Sequence, residues 1–219
     1  QWLLEQQPDV VHIHSFSGLG LGITGVCREL GLPVVVTFHD LWVTCARFFR
    51  LPQGSVECPT DTDRTSCVTC IAATLPMDKE LIRQALLQRD ELVVAELAAA
   101  NFFTAPSQTA ACAVASSLSF AGAIEVVPHG LLREVSAEHA AQQPIAGPLR
   151  IGTFGGLVPE KGLRELVEAC VTVVASGHPC ELHLSGRWYD LEFAGQLREV
   201  ARNGGLDLIE HGRYGAEDR

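Results

Sequence analysis

The chain is poor in lysine, methionine and net positive charge. Its 219 residues include two lysines, Lys79 and Lys161, and 16 basic against 26 acidic residues give a net charge of −10. That balance argues against general nucleic-acid binding, which needs a basic face. No apolar run approaches the roughly 20 residues of a membrane-spanning helix, and no secretory-signal pattern is present. The only methionine is Met77 and the first residue is Gln1, so both ends read as cuts. No Walker loop occurs, and no G-x-G-x-x-G follows the first strands, which disfavours a dinucleotide oxidoreductase. SGLGLG at 17–22 has glycines but reads as the entry to a helix.

What is present is a strong apolar content, 47%, arranged in alternating periods. Strands are predicted over 9–14, 34–38, 101–107, 124–128, 149–155, 180–186 and 206–212. Helices are predicted over 19–30, 78–99, 108–118 (with Ser107 as its cap), 161–176 and 190–203. VVVTF at 34–38 is continuous enough for a parallel strand buried on both faces. Strands alternating with helices imply βαβ units and parallel sheets. The Ala-, Gln- and Pro-containing stretch 136–148 is the linker candidate, so two α/β domains are expected, 1–135 and 149–219. Residues 41–76 show no clear period.

Open α/β sheets bind ligands beyond the carboxyl ends of their strands, which selects five places. His14 ends the first strand, and His12, on the same strand face, reads as structural. TFHDLW sets His39 and Asp40 directly after the buried strand, where a histidine can hydrogen-bond a substrate hydroxyl or carry a proton. VVPHGL places His129 and Gly130 at another strand end. SGRWYD places Arg187 at a fourth. The fifth, IGTFGGLVPEKGLRELVEA at 151–169, runs from a strand through Gly155 and Gly156 to Lys161 at a helix mouth. Helix-terminal N–H groups, glycines that allow close approach and one full charge suit an anionic ligand there. An ordinary strand–turn–helix with a solvated lysine is the other reading of that stretch.

Eight cysteines divide into two sets. Cys27, Cys112, Cys170 and Cys180 lie on apolar elements and read as buried small hydrophobes. Cys45-x12-Cys58-x8-Cys67-x2-Cys70 ends in a chelating turn, and four thiolates make a tetrahedral zinc site. Two disulfides, an iron–sulfur cluster or four reduced thiols are the alternatives. The α/β pattern without a signal favours a reducing cytoplasm.

Taken together and in this order, PDVVHIHS, LPVVVTFHDLW, VVPHG, IGTFGGLVPEKGLRELVEA and ELHLSG resemble the family 4 glycosyltransferases. The cysteine loop after HD-L-W is similar to a subgroup with H-D-aromatic-x-x-C. The resemblance implies the GT-B architecture: α/β, with two Rossmann-like domains of parallel sheets, here both incomplete. It implies retaining, metal-independent transfer from a nucleotide-sugar donor to a glycan or lipid-linked acceptor. Residues 1–135 match the later part of the acceptor-side domain and 149–219 the earlier part of the nucleotide-sugar domain. His39 matches the active-site histidine near the transferred sugar. Lys161 and Gly155 match the donor-diphosphate turn. His14, Asp40, His129 and Gly130 fall on the acceptor or substrate side. A cytoplasmic place with peripheral contact at the inner face of the membrane is implied by family analogy alone.

Two departures accompany the match. The family's arginine before the lysine turn is Gly156 here, and Arg187 is the candidate substitute. The family's first glycine-bearing loop and its E-x7-E segment are absent. By analogy, the strands of His12 and Ile151 stand at open sheet edges, so the isolated chain is expected to be poorly soluble or inactive. A non-catalytic nucleotide- or sugar-binding module of the same ancestry is the alternative function.

Overall fold

In the computed structural model, residues 1–51, 58, 63–118, 122–130 and 147–214 are described. The chain divides into two compact units, Gln1–Glu134 and Val135–Arg219. The expected linker over 136–148 lies outside the described residues except for Gly147 and Pro148.

The first unit opens with a short helix, α1 (Trp2–Gln6), and then alternates: β1 (Val11–Ile13), α2 (Ile23–Glu29), β2 (Val34–Thr37), α3 (Thr65–Ala72), α4 (Lys79–Ala99), β3 (Phe102–Ala105), α5 (Gln108–Leu118) and β4 (Ile124–Val126). The strands form one parallel sheet in the order β1-β2-β3-β4. Val34 and Val36 are fully buried, whereas Val35 and Thr37 are only half-buried, so β2 alternates more than its composition implies. Ile13, Val36, Phe38, Val93, Leu97 and Val114 build the core between sheet and helices.

Local chemistry explains the element ends. Asp78 caps α4 by accepting from the N–H groups of Glu80 (2.9 Å) and Leu81 (3.1 Å). Ser107 caps α5 through the Ala110 N–H at 3.2 Å. Helix α2 begins at Ile23 and not near residue 19, because Gly18, Gly20 and Gly22 take φ of 86°, 82° and 112°. Such values are incompatible with a right-handed helix. Helix α3, in the stretch without a visible period, carries Cys67 and Cys70 and is poor in strong helix formers. It forms because Val68 and Ile71 pack against Ile82 and Leu86 of α4.

The second unit contains β5 (Leu149–Leu157), a 3₁₀ turn (Pro159–Lys161), α6 (Leu163–Ala175), β6 (Cys180–Trp188), α7 (Leu191–Asn203) and β7 (Asp207–Gly212). Its sheet is parallel in the order β5-β6-β7. Leu163, Val167, Leu182, Leu184 and Leu197 form its core. β5 runs two residues beyond the predicted end, through Gly156 to Leu157, because it keeps pairing with β6 to Leu157↔Trp188. β1 and β5, the strands expected at edges, stand at edges of their sheets. The fold class is therefore α/β with two parallel sheets of Rossmann type.

Of the cysteines expected in cores, Cys27, Cys170 and Cys180 are buried. Burial and the adjacent Cys180 push the Cys170 thiol up to about 11. Cys112 is exposed, a correction: it lies on the solvent face of α5, where the Gln108 amide reaches its sulfur at 3.3 Å.

Candidate functional site

Three of the five strand ends belong to the first unit, and the parallel order of its sheet brings their histidines side by side. His12 and His14 on and just after β1 have ring centroids 4.0 Å apart. His14 stacks on His39 at 4.9 Å, and His39 on His129 at 5.1 Å with the rings 5° from parallel. His14 Nδ1 and His39 Nε2 are 2.6 Å apart and share one proton, one ring donating and the other accepting. His12 Nε2 is 2.7 Å from the Thr37 hydroxyl, which in turn is 2.6 Å from the Thr104 hydroxyl. His12, read as structural, makes this bond and also belongs to the row. Asp40 accepts from the Trp42 N–H at 2.8 Å, which folds the chain back after His39. Gly130 follows His129 and is exposed.

Crowding of imidazoles sets their basicity. Desolvation, then the neighbouring His14 and His129, hold His39 below its ordinary value of 6.5; Asp40 opposes this in part. Desolvation and His14 lower His12 as well. Protonation is therefore harder in the folded chain than in the unfolded one. Stability from these two groups is full above pH of about 6.5 and falls as the pH drops from there toward their lowered folded values. Thermal melts of the first unit between about pH 7.5 and 5.5 should show this fall, and His39→Asn should flatten it. An equally steep fall in the variant would remove His39 from the account.

The segment after His39 is fastened by α4, which the sequence pattern did not show. Arg89 lies over the Trp42 ring at 4.5 Å and donates to the carbonyls of Trp42 and Val43. Arg64 binds Asp90 through two bonds of 2.6 and 2.7 Å and donates to the Thr44 carbonyl at 3.2 Å. Glu96 is another residue that sequence reading missed. Its carboxylate is buried and accepts from the N–H groups of Gly22 and Thr24 and from the Thr24 hydroxyl. It thereby anchors the glycine loop that follows His14 to α4.

In the second unit, register pairs Gly155 with Gly186 and Gly156 with Arg187. Arg187 is exposed, and its guanidinium lies 5.1 Å over the Tyr189 ring. A Cβ at Gly156 would meet that same ring at 3.5 Å. Lys161 is exposed in the 3₁₀ turn, one residue before Gly162, whose φ of 71° turns the chain into α6. Gly162 has no side chain to cap α6, and the positive end of the helix dipole lies at this turn. The arrangement has cationic and N–H donors at the carboxyl end of a parallel sheet, which is suited to an anion.

Cys45, Cys58, Cys67 and Cys70 line one cavity of about 430 Å³ in the first unit. Among the described residues, no group of three or more His, Cys, Asp or Glu is arranged to hold a metal ion as placed.

Two parallel α/β sheets, with polar groups collected at their carboxyl ends, define a fold of Rossmann type. The family model for Glycosyltransferase Family 4 matches residues 1–132, nearly all of the first unit. The chain belongs to that family. No curated protein matches it. Among the described residues, no helix is long and apolar enough to cross a membrane.

Proposed function

We propose that the protein is a retaining glycosyltransferase that moves a sugar from a nucleotide-diphosphate donor to a glycan or lipid-linked acceptor. The observation that carries this reading is the row His14–His39–His129, gathered beyond the sheet of the unit that matches the family. In the proposed chemistry the first unit takes the acceptor side and the second unit the donor. His39, whose protonation is disfavoured by desolvation and by the neighbouring His14 and His129, hydrogen-bonds the sugar as the glycosidic bond loosens. His14 positions His39 through their shared proton, and Asp40, His129 and Gly130 line the substrate side.

Negative charge builds on the leaving diphosphate, and fixed donors that meet it there lower the barrier. Lys161, the N–H groups of α6 and the close backbone at Gly155 take that role, so no divalent ion is part of the proposed step. Register supports Arg187 as the substitute for the arginine absent at Gly156, since the two positions are cross-strand partners.

The test is calorimetric titration of the protein at full length with UDP and GDP, followed by donor turnover. Lys161→Ala should weaken nucleoside-diphosphate binding about tenfold or more. His39→Ala should leave that binding in place and reduce turnover by about 10²-fold. Failure of the unsubstituted protein to bind any nucleoside diphosphate would sink the proposal. Gly156 in place of an arginine favours one second reading, a binding module without catalysis. Tight nucleotide binding with no sugar transfer or donor hydrolysis would select it.

A further inference from the structure

We propose that Arg89, braced by Asp90 and Arg64, is a positioning residue for the His14–His39 pair, because it grips the point where the segments leaving the two histidines meet. This deepens the transferase reading and rests on it for the role of His39.

The sheet holds the two histidine segments only as far as the strand ends. Its ladder reaches Phe38, whose N–H donates to the Thr104 carbonyl at 2.8 Å. His39 and Asp40 lie in the turn beyond, as His14 lies beyond β1. The segments meet again shortly after: the Phe16 and Trp42 rings stack with centroids 6.2 Å apart, and Phe16 is buried. Trp42 is gripped at both backbone groups and on its ring. Its N–H donates to Asp40 at 2.8 Å, its carbonyl accepts from Arg89, and the Arg89 guanidinium lies 4.5 Å over the ring. A shift of Trp42 is therefore passed to Asp40, beside His39, and to Phe16, in the segment that follows His14.

Two guanidinium groups serve three consecutive carbonyls. Arg89 reaches those of Trp42 and Val43, and Arg64 reaches that of Thr44 at 3.2 Å. Asp90 joins the two arginines, with bonds of 2.6 and 2.7 Å to Arg64 and a distance of 3.6 Å to Arg89. The Arg64 and Arg89 side chains are only 11% and 15% exposed, so little water competes for these bonds. A planar fork both stacks on an indole and donates in two directions, which an ammonium group does not reproduce. The His14–His39 bond of 2.6 Å depends on alignment, and hydrogen bonds weaken steeply as alignment is lost. Small displacements of a catalytic group are correspondingly costly in rate.

The experiment is long-range ¹H–¹⁵N correlation NMR of the full-length labelled protein at a pH of about 7.5, where imidazoles are mainly neutral. His14→Asn and His39→Asn assign the signals. In the unsubstituted protein each of the two rings should show one fixed tautomer. In Arg89→Ala and Arg89→Lys their nitrogen shifts should move toward those of a free, tautomer-averaged imidazole. Val114→Ala, a core change on α5, controls for lost stability and should leave the shifts in place. In donor turnover, Arg89→Lys should lower kcat about tenfold or more and leave KM for the donor within about twofold. If Arg89→Ala fails to fold, Arg89→Lys carries both measurements. Unmoved shifts in a folded Arg89 variant overturn the proposal, as do averaged shifts in the unsubstituted protein or an equal movement in Val114→Ala. So does an unchanged kcat in a variant whose shifts have moved. The NMR measurement needs no turnover, so an unsubstituted protein that transfers no sugar strikes the transferase reading and leaves the positioning of the pair to be decided by the shifts.

Discussion

Gly186→Ala should unfold the second unit or part β5 from β6 at the donor turn, at a cost above about 4 kcal/mol. A Cβ built on Gly186 falls 1.8 Å from the Gly155 carbonyl oxygen and 3.0 Å from its carbon. The obstacle is backbone, and it cannot swing aside as a side chain would. Relief requires the strands to separate where Gly155↔Gly186 pair, next to Gly156↔Arg187. Two neighbouring glycines provide controls with different physics. Gly156→Ala meets only the Tyr189 ring at 3.5 Å, an ordinary contact, and should be nearly neutral in stability. Gly155→Ala has open space but a φ of 121°, so it should cost about 1–3 kcal/mol of backbone strain without parting the strands. Thermal melts with hydrogen exchange at the β5 amides would rank the three. Equal behaviour of Gly186→Ala and Gly156→Ala would contradict the steric argument.

Glu96→Ala should destabilise the first unit by about 3 kcal/mol or more, with a melting temperature lower by roughly 10 °C. Among the described residues the Glu96 side chain, on α4, is the one buried carboxylate, 5% exposed, and it meets the first turn of α2. It serves the N–H groups of Gly22 and Thr24 and the Thr24 hydroxyl, and its own carbonyl lies 2.9 Å from that hydroxyl. Alanine would leave the buried Thr24 N–H without its acceptor and the Gly22 N–H to solvent, while the Thr24 hydroxyl keeps the Glu96 carbonyl, and it would remove the negative charge that the helix dipole favours. Glu96→Gln keeps one acceptor but turns an amide N–H₂ toward a backbone N–H, so an intermediate loss is expected. Denaturant unfolding monitored by tryptophan fluorescence would measure both. A loss under about 0.5 kcal/mol for alanine, the range of an ordinary surface change, would show that the carboxylate is not the anchor of the glycine loop. The loop 17–22 follows His14, so the same variant should also disturb the His14–His39 bond.

Most element boundaries were readable because they depend on neighbours in sequence. Asp78 and Asp190 stand where helix caps belong, and each accepts from an N–H of the following first turn. The long period over 78–99 and the apolar runs near 34–37 became α4 and β2. Helix α3 was not readable, since it depends on Ile82 and Leu86 to cover Val68. Of the site, His39 with Asp40 and the Gly155–Lys161 turn were legible as strand ends. The roles of Arg89 and Glu96 were not, because a long amphipathic helix offers many charged positions and only its partners distinguish them.

By itself the sequence determined the alternation of strand and helix, the strand ends where polar groups collect and the spacing of the four cysteines. Dihedral periodicity and capping act over a few residues, so these features are written locally. The tertiary structure alone decided which histidines became neighbours, that Gly186 faces the Gly155 carbonyl, and that Glu96 closes the loop at Gly22. Those contacts are set by strand order, register and helix docking, and residues far apart in the chain acquire them only when the sheets assemble.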